Sequence, residues 1–260
     1  MRVEFQAFIA LIYRQLKRFV RSKSRLVNSF TQPILWFVFF GLGWSAAFKL
    51  AGPSIRNLFG GVEYLKFLAP GVAMMTVFTA SFMSGISVIW DREFGFLKEL
   101  LVAPASRESI ILGRIFGDSI ITTMQGFVML LLLSAMLGIL KPLSMLGVTA
   151  VMFASSLTFT SLGISIASRM RSMEGFHLLI GFVTMPLLFL SGAFYPISPL
   201  PGWLRTLSLV NPLTFSVELA RGVYIGVFQL TPPISMAGLI TSMTASLTAA
   251  ILLFRKTYIA

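Results

Sequence analysis

The chain has 260 residues, of which 56% are hydrophobic and 12% are charged, with a mean hydropathy of +0.87. Soluble domains carry about 25% charged residues, so this composition excludes an ordinary soluble protein and indicates an integral membrane protein. The net charge of +12 requires no nucleic-acid partner, because an anionic membrane surface attracts the same basic residues. The absence of cysteine excludes disulfides, thiol catalysis and cysteine-based metal sites.

The first predicted element is an amphipathic helix over residues 5–25. Its apolar residues recur at helical spacing and fall on one face, and its basic residues project from the opposite face. Those basic residues are Arg14, Lys17, Arg18, Arg21 and Arg25. The pattern is typical of a helix that lies in the plane of the membrane and contacts lipid headgroups.

Six apolar segments follow that can each cross a membrane, which takes about 20 residues. They are residues 30–48, 70–90, 115–140, 143–167, 176–194 and 234–254. The predicted fold is an all-α integral membrane protein that forms one transmembrane domain over residues 1–260.

Six spans place both termini on one side of the membrane. If that side is the inside, fifteen of the 21 Lys/Arg residues lie in inner segments and six lie in outer segments. Basic residues accumulate on the cytoplasmic side of membrane proteins, so we expect both termini to be cytoplasmic.

The connection between spans 2 and 3, residues 91–114, concentrates charge of both signs. Phe94, Leu97 and Leu101 form an apolar stripe on a short helix that ends before Pro104. A mixed-charge amphipathic helix is suited to docking in a groove of a soluble partner. The alternative is a solvated linker that lies on the membrane surface.

The external segment 195–232 is too apolar for a free loop and too interrupted by proline to span the membrane. We expect short re-entrant helices there, which enter the outer leaflet and cover the bundle. Asn211 and Pro212 form a favourable helix start. Glu218 and Arg221 are spaced to pair on that helix.

The sequence offers little for ion coupling or for catalysis. The interiors of the six spans hold no ionisable residue, Asp118 lying near an end of span 3, whereas ion-coupled transporters need such groups. No GxxxxGK[ST] phosphate loop is present. Small polar residues on spans 2 and 3 either line a pathway or pack the spans together. They are Thr76, Thr79, Ser81, Ser84, Thr122, Thr123 and Gln125.

Three stretches carry a family resemblance in their order and in their placement among the spans. They are DREFGFLKELLVAPASRESIILGR at 91–114, LSGAFYPISPLPGW at 190–203 and NPLTFSVELARG at 211–222. With them the chain resembles the permease subunits of ABC-2 type transporters over essentially its whole length. The similar branch is that of daunorubicin and multidrug exporters, related to the nodulation-factor export permeases.

This resemblance implies a non-enzymatic permease half of an exporter in a prokaryotic cytoplasmic membrane. The Met and Phe residues around the small polar residues of spans 2 and 3 predict a lipophilic cargo, such as a drug, lipid or glycolipid. The resemblance also implies pairing with a second half, identical or related, and a separate cytosolic ATP-binding subunit that holds ATP and Mg²⁺, so that this chain needs no cofactor. The coupling helix near residues 91–102 would contact that subunit through Asp91, Arg92, Glu93, Phe94, Leu97, Lys98 and Glu99. Arg169, Arg171 and Glu174 are secondary contact candidates.

Two alternatives from other classes stay open on the sequence. A non-transporting channel or assembly subunit would use the same cytosolic helix only as an anchor. A multi-spanning lipid-modifying enzyme would need convergent acids, a Ser/His arrangement or a metal site, and the single histidine, His177, makes this the weaker alternative.

Overall fold

All regular structure in the described residues of the computed structural model is helical. The structure describes residues 4–21, 23–50, 54–96, 105–170 and 172–255. Within them, six helical segments are long and apolar enough to cross a membrane. The prediction of an all-α membrane protein with six spans is therefore confirmed.

Twelve α-helices, numbered in chain order, make up the described bundle. Their bounds are α1 Phe5–Val20, α2 Lys23–Trp36, α3 Gly43–Leu50, α4 Ser54–Leu58, α5 Tyr64–Met83, α6 Ile86–Glu93, α7 Arg107–Met136, α8 Pro142–Arg169, α9 Met173–Leu190, α10 Gly202–Val210, α11 Pro212–Ile225 and α12 Pro232–Arg255. A π-helical segment, Phe37–Leu42, joins α2 to α3 in the first span. A turn at Ser84 and Gly85 joins α5 to α6 in the second.

Several helix ends differ from the sequence prediction. The N-terminal helix ends at Val20 rather than near residue 25, since α1 packs along α7 whereas the first span packs on α5. The third span ends at Met136 rather than at residue 140, because Gly138 adopts a left-handed φ of 63°. The second span begins at Tyr64, six residues earlier than predicted.

The core lies between α5, α7 and α8, which pack on one another and on α11. Fully buried aromatic and aliphatic side chains fill it, among them Phe67, Phe78, Phe159 and Ile115. In the most apolar stretch of the second span 72% of residues are buried, against 17% in the first and fifth spans and 22% in the sixth. These three outer spans present their apolar side chains to lipid or to another protein.

Two glycines allow the second span to cross α8 at backbone contact. A Cβ atom on Gly163 would lie 2.3 Å from the carbonyl oxygen of Phe82, and one on Gly85 would lie 2.3 Å from the carbonyl oxygen of Gly163. Close approach at small residues is a common way for helices to associate in membranes. The crossing fixes the position of the turn between α5 and α6.

We expect Gly163→Ala to lower the unfolding temperature of the purified protein, because the added methyl group forces two backbones apart at a cost of about 1–3 kcal/mol. Thermal unfolding in detergent micelles, followed by tryptophan fluorescence, measures this. The matched control is Gly181→Ala on α9, where a Cβ atom would have no neighbour within 4 Å. Equal unfolding temperatures for the two variants would contradict the close crossing.

Candidate functional site

A partly buried charge cluster joins three helices at one end of the bundle. We call this end, which holds α1, α6 and the start of α7, the basic end. Asp91, in the last turn of α6, lies 2.7 Å from Arg114 of α7. The guanidinium groups of Arg14 and Arg18 on α1 lie 3.6 and 3.7 Å from the same carboxylate. One acidic side chain thus holds three basic ones, and we name these four residues the Asp91 cluster.

Further contacts fix the orientation of the Asp91 cluster. Arg114 donates a hydrogen bond to the Ser87 hydroxyl at 2.7 Å, and Arg14 lies 3.9 Å from the centre of the Phe96 ring. Burial lowers the pKa of Arg14, and the Asp91 carboxylate opposes this change. The cluster therefore ties α1 and α7 to the end of the second span.

The Asp91 cluster was not predicted from the sequence. The predicted contacts were lipid headgroups for Arg14 and Arg18 and a partner protein for Asp91. A signal was present in Gly113 and Gly117, four residues apart on α7. A Cβ atom on Gly113 would lie 2.8 Å from the carbonyl oxygen of Phe8 on α1. Such glycine spacing indicates a close helix contact, and it is along this contact that α1 reaches Asp91.

The predicted coupling residues separate into buried and exposed groups. The Asp91 side chain is buried, and Arg92 donates to the carbonyl oxygen of Ala167 at 2.9 Å. Glu93 is exposed, and the Phe94 side chain is 81% exposed. The helix expected from residue 91 to residue 102 is interrupted, because α6 ends at Glu93 and Gly95 adopts a φ of 76°. Leu97, Lys98 and Glu99 lie outside the described residues.

The connection between α8 and α9 lies beside the end of α6. The Trp90 indole N–H donates to the Met173 sulfur, and Arg92 bonds to the last turns of α8. Of the predicted secondary contacts, Arg169 and Glu174 are exposed, and Arg171 lies outside the described residues. The end of α6, which carries Glu93 and Phe94, is therefore held by contacts with both α8 and α9.

A cavity of about 430 Å³ lies beside the Asp91 cluster, between α1, the first span, the second span, α7 and the start of α9. Its wall mixes amide, hydroxyl and charged groups with apolar side chains. The lining residues are Gln15, Arg18, Phe19, Gln32, Pro33, Thr79, Ala80, Met83, Ser84, Ile86, Ser87, Trp90, Asp118, Ile121, Thr122, Gln125 and His177.

The candidate pathway residues divide between the cavity and the core. Four of them line the cavity: Thr79, Ser84, Thr122 and Gln125. Thr76, Ser81 and Thr123 are buried and do not line it. The Ser81 hydroxyl lies 2.9 Å from that of Thr122 and 3.1 Å from that of Ser156, so it joins α5, α7 and α8. Such interhelical bonding is the packing role of small polar residues in membranes.

The opposite end of the bundle holds a second buried charge pair. Glu218 and Arg221 on α11 are both fully buried, and the Arg221 guanidinium donates to the Glu218 carboxylate at 3.0 Å. Arg221 also donates to the carbonyl oxygen of Gly192 at 2.6 Å and lies 3.7 Å from the centre of the Phe67 ring. The predicted pairing of Glu218 with Arg221 is confirmed.

Backbone groups form hydrogen bonds with both members of the Glu218–Arg221 pair. The second Glu218 oxygen accepts from the backbone N–H groups of Gln229 and Leu230, at 2.8 and 3.2 Å. Burial lowers the pKa of Arg221 to about 10, against the opposing attraction of Glu218, so the guanidinium keeps its proton at neutral pH. The helix that carries the pair begins as predicted, since the Asn211 side chain accepts from the N–H of Leu213 at 3.0 Å.

The six spans, with a cavity of mixed polar and apolar lining among them, define a multi-pass membrane protein. Residues 6–225 match the ABC-2 type transporter family. The match covers most of the chain, so the chain belongs to this family and is a membrane permease subunit.

Several relatives are themselves named as permeases. The chain is 36% identical to the protein named transport permease ycf38 of Cyanophora paradoxa, over 84% of this chain and 75% of that protein. It is 32% identical to the inner membrane transport permease YhhJ of Escherichia coli K12, over 67% of this chain and 47% of YhhJ. It is 26% identical to the inner membrane transport permease YadH of the same strain, over 82% and 81% of the two chains.

Proposed function

We propose that this chain is one half of an exporter whose energy comes from a separate ATP-binding subunit, docked at the exposed end of α6. The observation that carries the proposal is the contrast at the end of the second span. Glu93 and Phe94 are exposed, whereas Asp91 and Arg92, directly before them, are held by α1, α7 and α8. An exposed aromatic residue on a firmly held helix end suits a site that receives force from a partner.

Closure of the ATP-binding subunits would displace the end of α6. Because Asp91 holds Arg14, Arg18 and Arg114, α1 and α7 would follow that displacement. The turn at Ser84 and Gly85 separates α6 from α5, and Ser84 lines the cavity. Movement of α6 would therefore change the shape of the cavity, and cargo would leave through the cavity.

The remaining parts of the proposal concern partners, cargo and orientation. The exposed apolar surfaces of the first, fifth and sixth spans support contact with a second permease half as well as with lipid. The apolar part of the cavity wall supports a lipophilic cargo. The excess of basic residues in segments on the side of the basic end supports cytoplasmic termini, with ATP and Mg²⁺ bound by the partner subunit.

We expect Phe94→Ala to lower the stimulation of ATP hydrolysis by about tenfold when the chain is reconstituted with its ATP-binding subunit, because it removes the main exposed anchor of the interface. Glu93→Arg should act in the same direction by reversing a charge. ATPase turnover in liposomes measures both. Trp203→Ala is the matched control, since this exposed aromatic residue lies on α10 at the opposite end.

Wild-type stimulation in both α6 variants would contradict docking at this site. If in addition no ATP-binding subunit copurified with the wild-type chain, a non-transporting channel or assembly subunit would become the better account. Unfolding of a variant is recognised separately from its gel-filtration profile and its unfolding temperature.

A further inference from the structure

The cavity contains a buried polar group that the fold leaves unsatisfied. The Gln125 side chain lies near the middle of α7, is 4% exposed and lines the cavity. Its amide oxygen has no hydrogen-bond partner among the described residues. A buried polar atom without a partner costs about 1–3 kcal/mol, and lipid tails supply no donor. A ligand that enters the cavity and donates a hydrogen bond would satisfy this oxygen.

Two hydroxyl groups that line the same cavity can also accept further hydrogen bonds. The Thr79 hydroxyl donates to the carbonyl oxygen of Met75 at 2.9 Å, and the Ser84 hydroxyl donates to that of Ser81 at 2.7 Å. A hydroxyl has one proton and two lone pairs. Because each hydroxyl already donates its proton to a carbonyl oxygen of α5, its oxygen can still accept a hydrogen bond from a ligand in the cavity.

The three amides in the wall indicate which ligand groups fit. Gln15, Gln32 and Gln125 line the cavity, and each primary amide both donates and accepts hydrogen bonds. An alcohol hydroxyl also does both, whereas an ammonium group only donates and a fully ionised phosphate only accepts. A surface of amides and accepting hydroxyls is therefore matched best by a ligand with several hydroxyl groups.

The charged residues near the cavity argue against a charged headgroup. Arg18 lies 3.7 Å from Asp91, so a phosphate would have to compete with that carboxylate. Asp91 and Asp118 both interact electrostatically with Arg14, so a cationic headgroup would have to compete with an arginine for either carboxylate. Moving a charged headgroup out of water is costly unless a partner charge compensates it.

We propose that this cavity binds the uncharged, polyhydroxylated headgroup of an amphiphile, as in a glycosyl lipid, with Gln125 as its principal hydrogen-bonding residue. The apolar wall, including Phe19, Met83, Ile86 and Ile121, receives the start of the hydrocarbon chain. The volume of about 430 Å³ lies within the range of small-ligand sites. The identification of this ligand as cargo rests on the proposed function, whereas the binding site itself does not.

Binding is tested on the full chain alone, in phosphatidylcholine nanodiscs, because Trp90 lines the cavity and bromine atoms on a bound lipid quench tryptophan. Four lipids with the same brominated acyl chains are compared: a glucosyl diacylglycerol, a double-chain primary amine, a phosphatidic acid and a phosphatidylcholine. Trp90→Phe identifies the quenching that belongs to the cavity. Gln125→Met removes the amide at similar volume, and Met124→Leu, on the lipid-exposed side of α7, is the matched control.

We expect the glucosyl lipid to quench Trp90 at the lowest concentration, and Gln125→Met to weaken its binding about tenfold by the loss of one hydrogen-bonding group. Met124→Leu should bind like the wild type. Equal quenching by all four lipids, tighter binding of the amine or the phosphatidic acid, or unchanged binding in Gln125→Met would each overturn the proposal. If the lipid-binding test fails but Phe94→Ala lowers the stimulation of ATP hydrolysis, only the ligand assignment is rejected. If the glucosyl lipid binds but the chain does not stimulate an ATP-binding subunit, only the exporter function is rejected.

Discussion

Replacing Arg221 by methionine is expected to lower the free energy of unfolding by about 3–5 kcal/mol, because it leaves the Glu218 carboxylate buried without its counter-charge. Both side chains are fully buried, so water does not screen the unpaired charge. Within the described part of the chain, the two backbone N–H groups of Gln229 and Leu230 would be the partners that remain for that carboxylate. Thermal unfolding of the purified chain in micelles measures the loss as a lower midpoint.

A second substitution separates the effect of charge from that of side-chain volume. In the Arg221→Met background, Glu218→Gln removes the buried charge and keeps an oxygen for the N–H of Gln229, so the double variant should unfold at a higher temperature than the single one. Arg205→Met, on the exposed side of α10, should change stability by less than about 0.5 kcal/mol. The assignment fails if Arg221→Met unfolds with the wild-type midpoint.

Replacing Asp91 by alanine is expected to destabilise the basic end by about 3 kcal/mol, because three arginines lose their shared counter-charge. The effect should be carried mainly by Arg114, whose side chain is buried, while Arg14 and Arg18 are partly exposed and screened. α1 should detach more readily from α7, so trypsin should cleave at Arg14 and Arg18 faster than in the wild type.

The control for Asp91→Ala is Glu93→Ala, which removes an exposed carboxylate two residues further along the chain. Its stability and its trypsin pattern should match those of the wild type. Adding Arg114→Met to Asp91→Ala removes the buried unpaired cation and should recover part of the lost stability. Equal trypsin cleavage of α1 in the wild type and in Asp91→Ala would rule out the anchoring role.

Much of the fold follows from apolar length and local helix chemistry. The six spans follow from runs of apolar residues, and the start of α11 follows from the capping ability of Asn211 before Pro212. The Glu218–Arg221 pair follows from a spacing of three residues on one helix. Each of these features depends on residues close together in the chain.

The parts that the sequence left undetermined depend on contacts between distant helices. Asp91 meets Arg14 and Arg18 only because α1 packs along α7, and helical spacing on α1 alone indicates no such partner. The division of the small polar residues also depends on tertiary structure. Ser81 bonds to Ser156 across two helices, whereas Ser84, one turn away, lines the cavity.

The Glu218–Arg221 pair can form before the last span of the chain is inserted during synthesis. Its partners are Phe67, Gly192, Gln229 and Leu230, and all of them precede α12. The two charges neutralise each other on α11 itself, so α11 enters the bilayer edge as a net uncharged segment. The pair can thus be complete while the last span is still being inserted, and α12 then closes against a finished surface of α8 and α11.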